Sequence, residues 1–196
     1  MLKNHDRSGF WGASETSKIV GNWNTKSFMD LYLIKLGIIE NNFKNVYLMA
    51  GNAYERKIAQ SLGLPMKFDR CIKIPKLRLR VNLDAETKDC IYEIKTHKAT
   101  DKEWKPPISY WQQCQVQMYA TGKHKCKLLA YPMTDENYEN FFLDIDKEKV
   151  EIFDIEYDEE WVKKEYLPRL VYLAECLKKR KTPSIKEFKE RMAKWG

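Results

Sequence analysis

Cysteine, glycine, proline and histidine are all sparse in this chain of 196 residues, numbering 5, 8, 7 and 3. The cysteines (Cys71, Cys90, Cys114, Cys126 and Cys176) are odd in number and widely spaced, and no Cys-x-x-Cys pair occurs. That pattern excludes a zinc ribbon and a disulfide framework. With only Cys176 late in the chain, a four-cysteine iron–sulfur cluster built on a grouped C-terminal set is excluded as well. Reduced thiols in core or surface positions are expected. No apolar run approaches the ~18 residues that a membrane span requires. Met1 to Arg7 contain no apolar segment of signal-peptide type. A cytoplasmic protein without a membrane partner is therefore expected. Repeats, low-complexity tracts and Gly/Ser linkers are missing too, so the expectation is one domain over residues 1–196.

What the chain does contain is ordinary for a folded protein: 43% hydrophobic and 32% charged residues. The formal net charge of +7 favours a polyanionic partner. Lys73, Lys76, Arg78 and Arg80 alternate with Ile72, Ile74, Leu77, Leu79 and Val81. Read as one strand, this segment carries its basic side chains mostly on one face, as a surface that tracks phosphates would. A second basic run, Lys178-Lys179-Arg180-Lys181, suits a solvated face equally well.

Apolar spacing predicts helices from Ser14 as a cap, over 26–37 ending near Gly37, over about 44–62 ending at Gly63, and over 108–119. Period-two alternation predicts strands over 68–82 and 90–95, joined by a turn at Thr87-Lys88-Asp89. Further strands are predicted over 125–132, 140–145 and 151–157, with Thr134 to Asn137 as a connection. A long amphipathic helix from Asp158 to about Lys181 follows, with a kink at Pro168. The order predicts an α/β fold with a small central mixed β-sheet flanked by helices.

Asp84, Glu93 and Lys95 carry the chemistry. Glu93 and Lys95 stand two apart on a predicted strand and so share one face. A hairpin-like return from the preceding strand brings Asp84 beside them. Converging carboxylates form a hard-oxygen site for Mg²⁺ or Mn²⁺, to which the Ile94 carbonyl can add a ligand. Lys95 can hold or deprotonate a water there and offset phosphate charge. Glu-x-Lys on a strand is also common as a plain exposed ion pair, and these three residues alone leave both readings open.

Five blocks in one order add to them. They are Arg7-x-Gly9-x-x-x-Ala13-Ser14-Glu15, Gly51-x-x-x-Glu55, Asp84 with Glu93-Ile94-Lys95, Gln113-Cys114-Gln115-Val116-Gln117, and Ile155 to Trp161 ahead of the last helix. In these blocks the chain resembles the phage lambda exonuclease family of viral recombinase nucleases, which is of PD-(D/E)XK type. The resemblance implies the restriction-endonuclease-like core. It also implies 5′-to-3′ digestion of linear double-stranded DNA with Mg²⁺ (or Mn²⁺), on two ions, leaving 3′ overhangs for phage-type recombination.

By the same resemblance, Asp84, Glu93 and the Ile94 carbonyl would ligate metal and Lys95 would position the water. Glu55 would orient water or the second ion, and Gln117 would hydrogen-bond within the site. Arg7 and Ser14 would bind the terminal 5′-phosphate. Double-stranded DNA ends, a single-strand annealing protein and two further copies of the chain, in a homotrimer, are the implied partners. One departure is Asn82-Leu83-Asp84 where the family often has Pro before the Asp, which makes Asn82 a further phosphate contact to consider. Trp11 is assigned to the core or to the DNA end, and His5, His97 and His124 receive no role. A related endonuclease or single-strand nuclease, or a DNA-binding module without catalysis, are the alternatives. The intact Asp84, Glu93 and Lys95 set argues against the last.

Overall fold

The computed structural model describes residues 8–40, 46–100 and 103–194. Contacts divide the chain into two compact units, residues 1–41, 73–81 and 158–196 in the first and 42–72 with 82–157 in the second. The expected mixed sheet flanked by helices is present, with six strands.

The first unit opens with β1 (Trp11–Gly12), a 3₁₀ turn (Ala13–Glu15) and α1 (Thr16–Val20). Ser14 lies exposed inside that turn. It is not the expected cap: Glu15 reaches back to accept from the Gly12 amide at 2.8 Å, and its other oxygen meets the nearly buried Lys35 ammonium at 2.7 Å. α2 (Lys26–Lys35) starts on Thr25, whose hydroxyl accepts from the Phe28 amide. It stops at Gly37, which takes the left-handed φ of 69°. Trp11, Trp23, Phe28 and Tyr32 stack in series, and Trp23 lies flat on Tyr172 at 5.5 Å. Trp11 is therefore a core residue, with no exposed surface.

The long C-terminal helix is built in three parts: α6 (Glu159–Trp161), a π-helical stretch (Val162–Tyr166) and α7 (Leu167–Lys179). The irregularity sits where expected. Pro168 has no N–H to give, and the widened turn before it absorbs the ring without ending the helix. α8 (Ile185–Ala193) was not expected from the sequence. It is capped by Ser184 and held by Phe188 against Trp23 and Tyr172.

In the second unit α3 (Val46–Gln60) lays Ala50, Tyr54, Ile58 and Ala59 on the sheet side chains Tyr92, Ile94, Leu129, Tyr131 and Met133. β2 (Lys67–Ile74) and β3 (Leu79–Glu86) are separate strands. The single basic strand expected over 68–82 is thus corrected. Pro75 opens a 3₁₀ turn and Arg78 turns left-handed at φ 46°, so the alternation does not run through. Lys73 lies over the Phe10 ring and Arg78 donates to the Gly9 carbonyl.

β3 runs through both units. It pairs parallel with β1 at Leu79 and antiparallel with β4 (Ile91–Lys98) at Ala85 and Tyr92, and it also pairs with β2. β4 lies parallel to β5 (Lys125–Met133), a pairing that needs a crossover, and α4 (Ile108–Thr121) supplies it. β6 (Glu151–Glu156) returns antiparallel on β5.

The strand expected over 140–145 is absent. α5 (Asp135–Glu139) precedes it, and Phe141, Leu143 and Ile145 pack on the core from a chain without a ladder. The Lys57 ammonium takes the carbonyls of Phe141 and Leu143 at 3.1 and 2.8 Å, which satisfies acceptors that a partner strand would otherwise have held.

Candidate active site

Period two along β4 sends Tyr92 and Ile94 to the α3 side and leaves Glu93 and Lys95 on the face that meets α4. Asp84 stands on β3 one step from the registered pair Ala85 and Tyr92, and its Oδ2 accepts from the Ile94 amide at 2.8 Å. The hairpin thus brings Asp84, Glu93 and Lys95 together as the sequence predicted. Glu55, from α3, joins them within hydrogen-bonding reach of Asp84.

Glu93 is 1% exposed and has three donors. Its Oε1 accepts from Gln113 Nε2 at 2.6 Å and from Lys95 Nζ at 2.6 Å, and its Oε2 accepts from Gln117 Nε2. A buried carboxylate needs such company to remain in place. Gln113 and Gln117 stand one helical turn apart on α4 and grip opposite oxygens. The orientation of the Gln117 amide is fixed, because the Asn82 carbonyl, the other group near Nε2, is also an acceptor. Gln117 Oε1 is buried and, among the described residues, has no hydrogen-bond partner.

The electrostatics are those of crowded negative charge. Burial, then repulsion from Glu93 and Asp69, raises Glu55 to about 7. Burial, then Glu93 and Glu55, lifts Asp84 well above the usual carboxylate range. For Lys95, burial opposes the charge, but Glu93 and Asp84 outweigh it and hold the ammonium more firmly than in water. The Tyr110 ring lies 5.1 Å from that ammonium.

This donor set suits a hard cation. It is made of carboxylate oxygens whose mutual repulsion a divalent ion would relieve, with an orphaned amide oxygen beside them. Among the described residues no three His, Cys, Asp or Glu side chains close a cage by themselves. Mg²⁺ does not require one, because it keeps waters and takes ligands from one or two carboxylates and from phosphates.

Ser14 belongs to the first unit, and Arg7 lies outside the described residues. The Asn82 side chain is exposed, and its carbonyl faces Gln117. The Ile94 amide donates to Asp84 Oδ2. His97 stacks on Trp104 at 4.3 Å, and His124 meets Tyr157 edge-on. Sequence reading missed Gln113 and Tyr110. The spacing of four between Gln113 and Gln117 was the available signal for the first, whereas Gln115, on another face, donates to the Glu156 carbonyl.

Comparison with known proteins follows the same direction. The chain is similar in fold to an alkaline exonuclease (LHK-Exo) from Laribacter hongkongensis, with a TM-score of 0.69 at 18% identity over 97% of this chain and 96% of that one. It is also similar to a phage related exonuclease from Haemophilus somnus 129PT, with a TM-score of 0.58 at 14% identity over 95% and 96%. At these identities the likeness establishes the fold. No curated protein matches the sequence. Among the described residues no helix is long and apolar enough to cross a membrane. Residues 4–124, which hold Glu55, Asp84, Glu93, Lys95, Gln113 and Gln117, match the YqaJ-like viral recombinase domain, and the chain belongs to that family.

Proposed function

We propose that this protein is a metal-dependent deoxyribonuclease that digests linear double-stranded DNA from its 5′ ends and leaves 3′ single-stranded overhangs. The observation that carries the reading is the convergence of Glu55, Asp84 and Glu93 with Lys95 in one buried site. Membership of the viral recombinase family and the fold shared with two exonucleases support it. So does the solved complex of LHK-Exo with dAMP, a nucleotide of the kind such digestion releases.

Asp84, Glu93 and the Ile94 carbonyl would hold Mg²⁺ or Mn²⁺, and Glu55 a second ion or its water. Bound there, the metal supplies Lewis-acid stabilisation of the scissile phosphate and a water of lowered pKa. Lys95, kept charged by Glu93 and Asp84, donates to that water or to a phosphate oxygen and offsets the charge that builds up as water adds to phosphorus. Gln113 and Gln117 hold Glu93 in a single orientation. Arg7 and Ser14 would take the terminal 5′-phosphate, the first through its fork of donors, with Asn82 as a further contact. The overhang is a substrate for a single-strand annealing protein. Three copies forming a ring would hold the duplex through phosphate contacts that permit sliding.

The chemistry is tested on linear duplex labelled at the 5′ or the 3′ end, with Mg²⁺ or with EDTA. Asp84→Asn is expected to abolish digestion, and Lys95→Ala to slow it on the order of 10²–10³-fold while metal binding is retained. Near-normal cutting by Asp84→Asn sinks the assignment.

A pH test needs no activity. Glu55 and Asp84 bind protons more tightly folded than unfolded, where carboxyls titrate near about 4. Their contribution to stability is complete below that value and is lost as pH rises, for Glu55 through about 7 and for Asp84 through a range well above that of ordinary carboxylates. Other carboxylates act in the opposite sense. Glu86, which burial alone would raise, is lowered by Lys123 and Arg70, and Glu175 is lowered by Arg191, so both lose stability only on the acid side. The metal-free protein should therefore melt several degrees lower at about pH 8 than at about pH 5. Mg²⁺ should raise the melting temperature more at the higher pH, where protons no longer compete. Glu55→Gln should flatten the slope. A melting temperature that climbs steadily with pH in EDTA contradicts the carboxylate cluster.

End recognition predicts faster cutting of 5′-phosphorylated than of 5′-hydroxyl duplex, with the preference reduced in Arg7→Ala and Ser14→Ala. Equal wild-type rates on the two ends refute it. Light scattering at micromolar concentration should give a mass three times the 23.4 kDa of one chain, and a single-chain mass with and without DNA rejects the ring.

A further inference from the structure

In the second unit β4 and α4 meet along one row of side chains. Glu93, Lys95 and His97 stand two apart on β4 and share a face. Tyr110, Gln113 and Gln117 fall at spacings of three and four on α4 and share a face of the helix. α4 returns the chain between two parallel strands, so it runs opposite to β4. The contacts accordingly come in reverse order, with Gln117 and Gln113 on Glu93 and then Tyr110 on Lys95. Trp104, just ahead of α4, extends the row by lying flat on His97 at 4.3 Å. The two glutamines fix the carboxylate, and the aromatic end of the row has no part in that.

The Lys95 ammonium ends a flexible four-carbon stem and has three N–H bonds to direct. Among the described residues its hydrogen-bond acceptor is Glu93 Oε1, at 2.6 Å. One such bond leaves the ammonium free to turn about it. The Tyr110 ring removes that freedom: the ammonium lies over its face, 5.1 Å from the centroid, where the negative face of a ring attracts a cation. The Lys95 side chain is 22% exposed, so a further side of the ammonium stays open. Tyr110 is itself held. Its amide donates to the Pro107 carbonyl at 2.9 Å, and Pro106 and Pro107 restrict the chain that leads into the helix. Its ring leans on Trp104 with centroids 6.4 Å apart, and Trp104 in turn contacts His97 and Phe153.

We infer that Tyr110, backed by Trp104, is the positioning residue for Lys95, and that its ring face turns the open N–H of the ammonium toward the water or phosphate oxygen of the reaction. The inference rests on the nuclease reading. In this role Tyr110 touches neither substrate nor metal, and the ring acts rather than the hydroxyl. An apolar side chain that merely filled the space would need volume and no ring face, which separates the two roles by experiment.

Steady-state digestion of linear duplex with Mg²⁺ is compared for the full-length wild type, Tyr110→Phe and Tyr110→Leu, with circular dichroism to confirm folding. Tyr110→Phe keeps the ring face and should keep most of the rate. Tyr110→Leu keeps apolar volume without a ring and should lower kcat about tenfold with KM unchanged, a change that corresponds to about 1.4 kcal/mol and lies within the range of a cation–π contact. In a Lys95→Ala background the same substitution should cost almost nothing more. Phenylalanine carrying one, two or three ring fluorines at position 110 nearly keeps the shape while it drains charge from the face. There kcat should fall with each fluorine, and this series also serves where Tyr110→Leu does not fold. In EDTA, with the lysine nitrogens isotope-labelled, the Lys95 ammonium signal is assigned by its loss in Lys95→Arg. Ring-current loss should shift that signal in Tyr110→Leu and not in Tyr110→Phe. A kcat indifferent to fluorination, or a Tyr110→Leu loss as large without Lys95 as with it, overturns the inference and leaves the nuclease reading standing. So does an ammonium signal that Tyr110→Leu does not move. A wild-type protein that fails to cut sinks the nuclease reading and the inference with it.

Discussion

Burying the Glu93 carboxylate is the constraint on which the second unit depends. An isolated charge in a protein interior is strongly unfavourable, and removing one partner of a buried pair typically costs about 3–5 kcal/mol. Three donors offset that cost, and each restricts the fold. Lys95 must lie two residues on along β4 to reach the same face. Gln113 and Gln117 must sit one turn apart on α4, and α4 must cross the sheet closely enough for carboxamides to reach. That close approach is consistent with the small buried residues there, Cys114 on the helix with Cys126 and Ala130 on β5. The crossover helix is therefore set in place by polar contacts as much as by apolar burial.

Those donors satisfy Glu93 and leave Glu55 and Asp84 without an equivalent set. Asp84 has the Lys95 charge and the Ile94 amide against burial and two neighbouring carboxylates, and Glu55 faces both of them from α3. The result is a site that binds protons in the absence of a cation and would release them to a divalent one. Such local destabilisation is tolerated because the surrounding core over-determines the geometry. Tyr54, Ala85, Ile94 and Leu129, all nearly or fully buried, fix the strands and the helix that bear the acids.

The elements that determine the site were legible in the sequence because they are local. Alternation put Glu93 and Lys95 on one face, the Thr87 to Asp89 turn returned Asp84 to them, and Gly37 and Gly63 end their helices in left-handed turns. What escaped was set by tertiary contacts. Residues 68–82 alternate like one strand, yet Pro75 breaks it, and the basic face inferred from that alternation is divided among β2, a 3₁₀ turn and β3. Residues 140–145 alternate like a strand because Phe141, Leu143 and Ile145 face the core. A lysine from a distant helix, and no neighbouring strand, takes the exposed carbonyls. Gln113 was hidden in a run of three alternating glutamines, where only the position of Glu93 in space separates those that grip it from the one that does not.

The same lysine links local chain geometry to surface chemistry. Lys57 lies two residues from Glu55 on α3, and that spacing places the two side chains far apart around the helix. One side of the helix thus supplies an acid to the carboxylate cluster, and another supplies the cation that braces the loop carrying Phe142. A helix fixed in this way cannot shift along its axis without disturbing both. The rigidity of the helix that bears Glu55 is therefore also what keeps Phe142 exposed, through hydrogen bonds and packing that involve no residue of the acidic cluster itself.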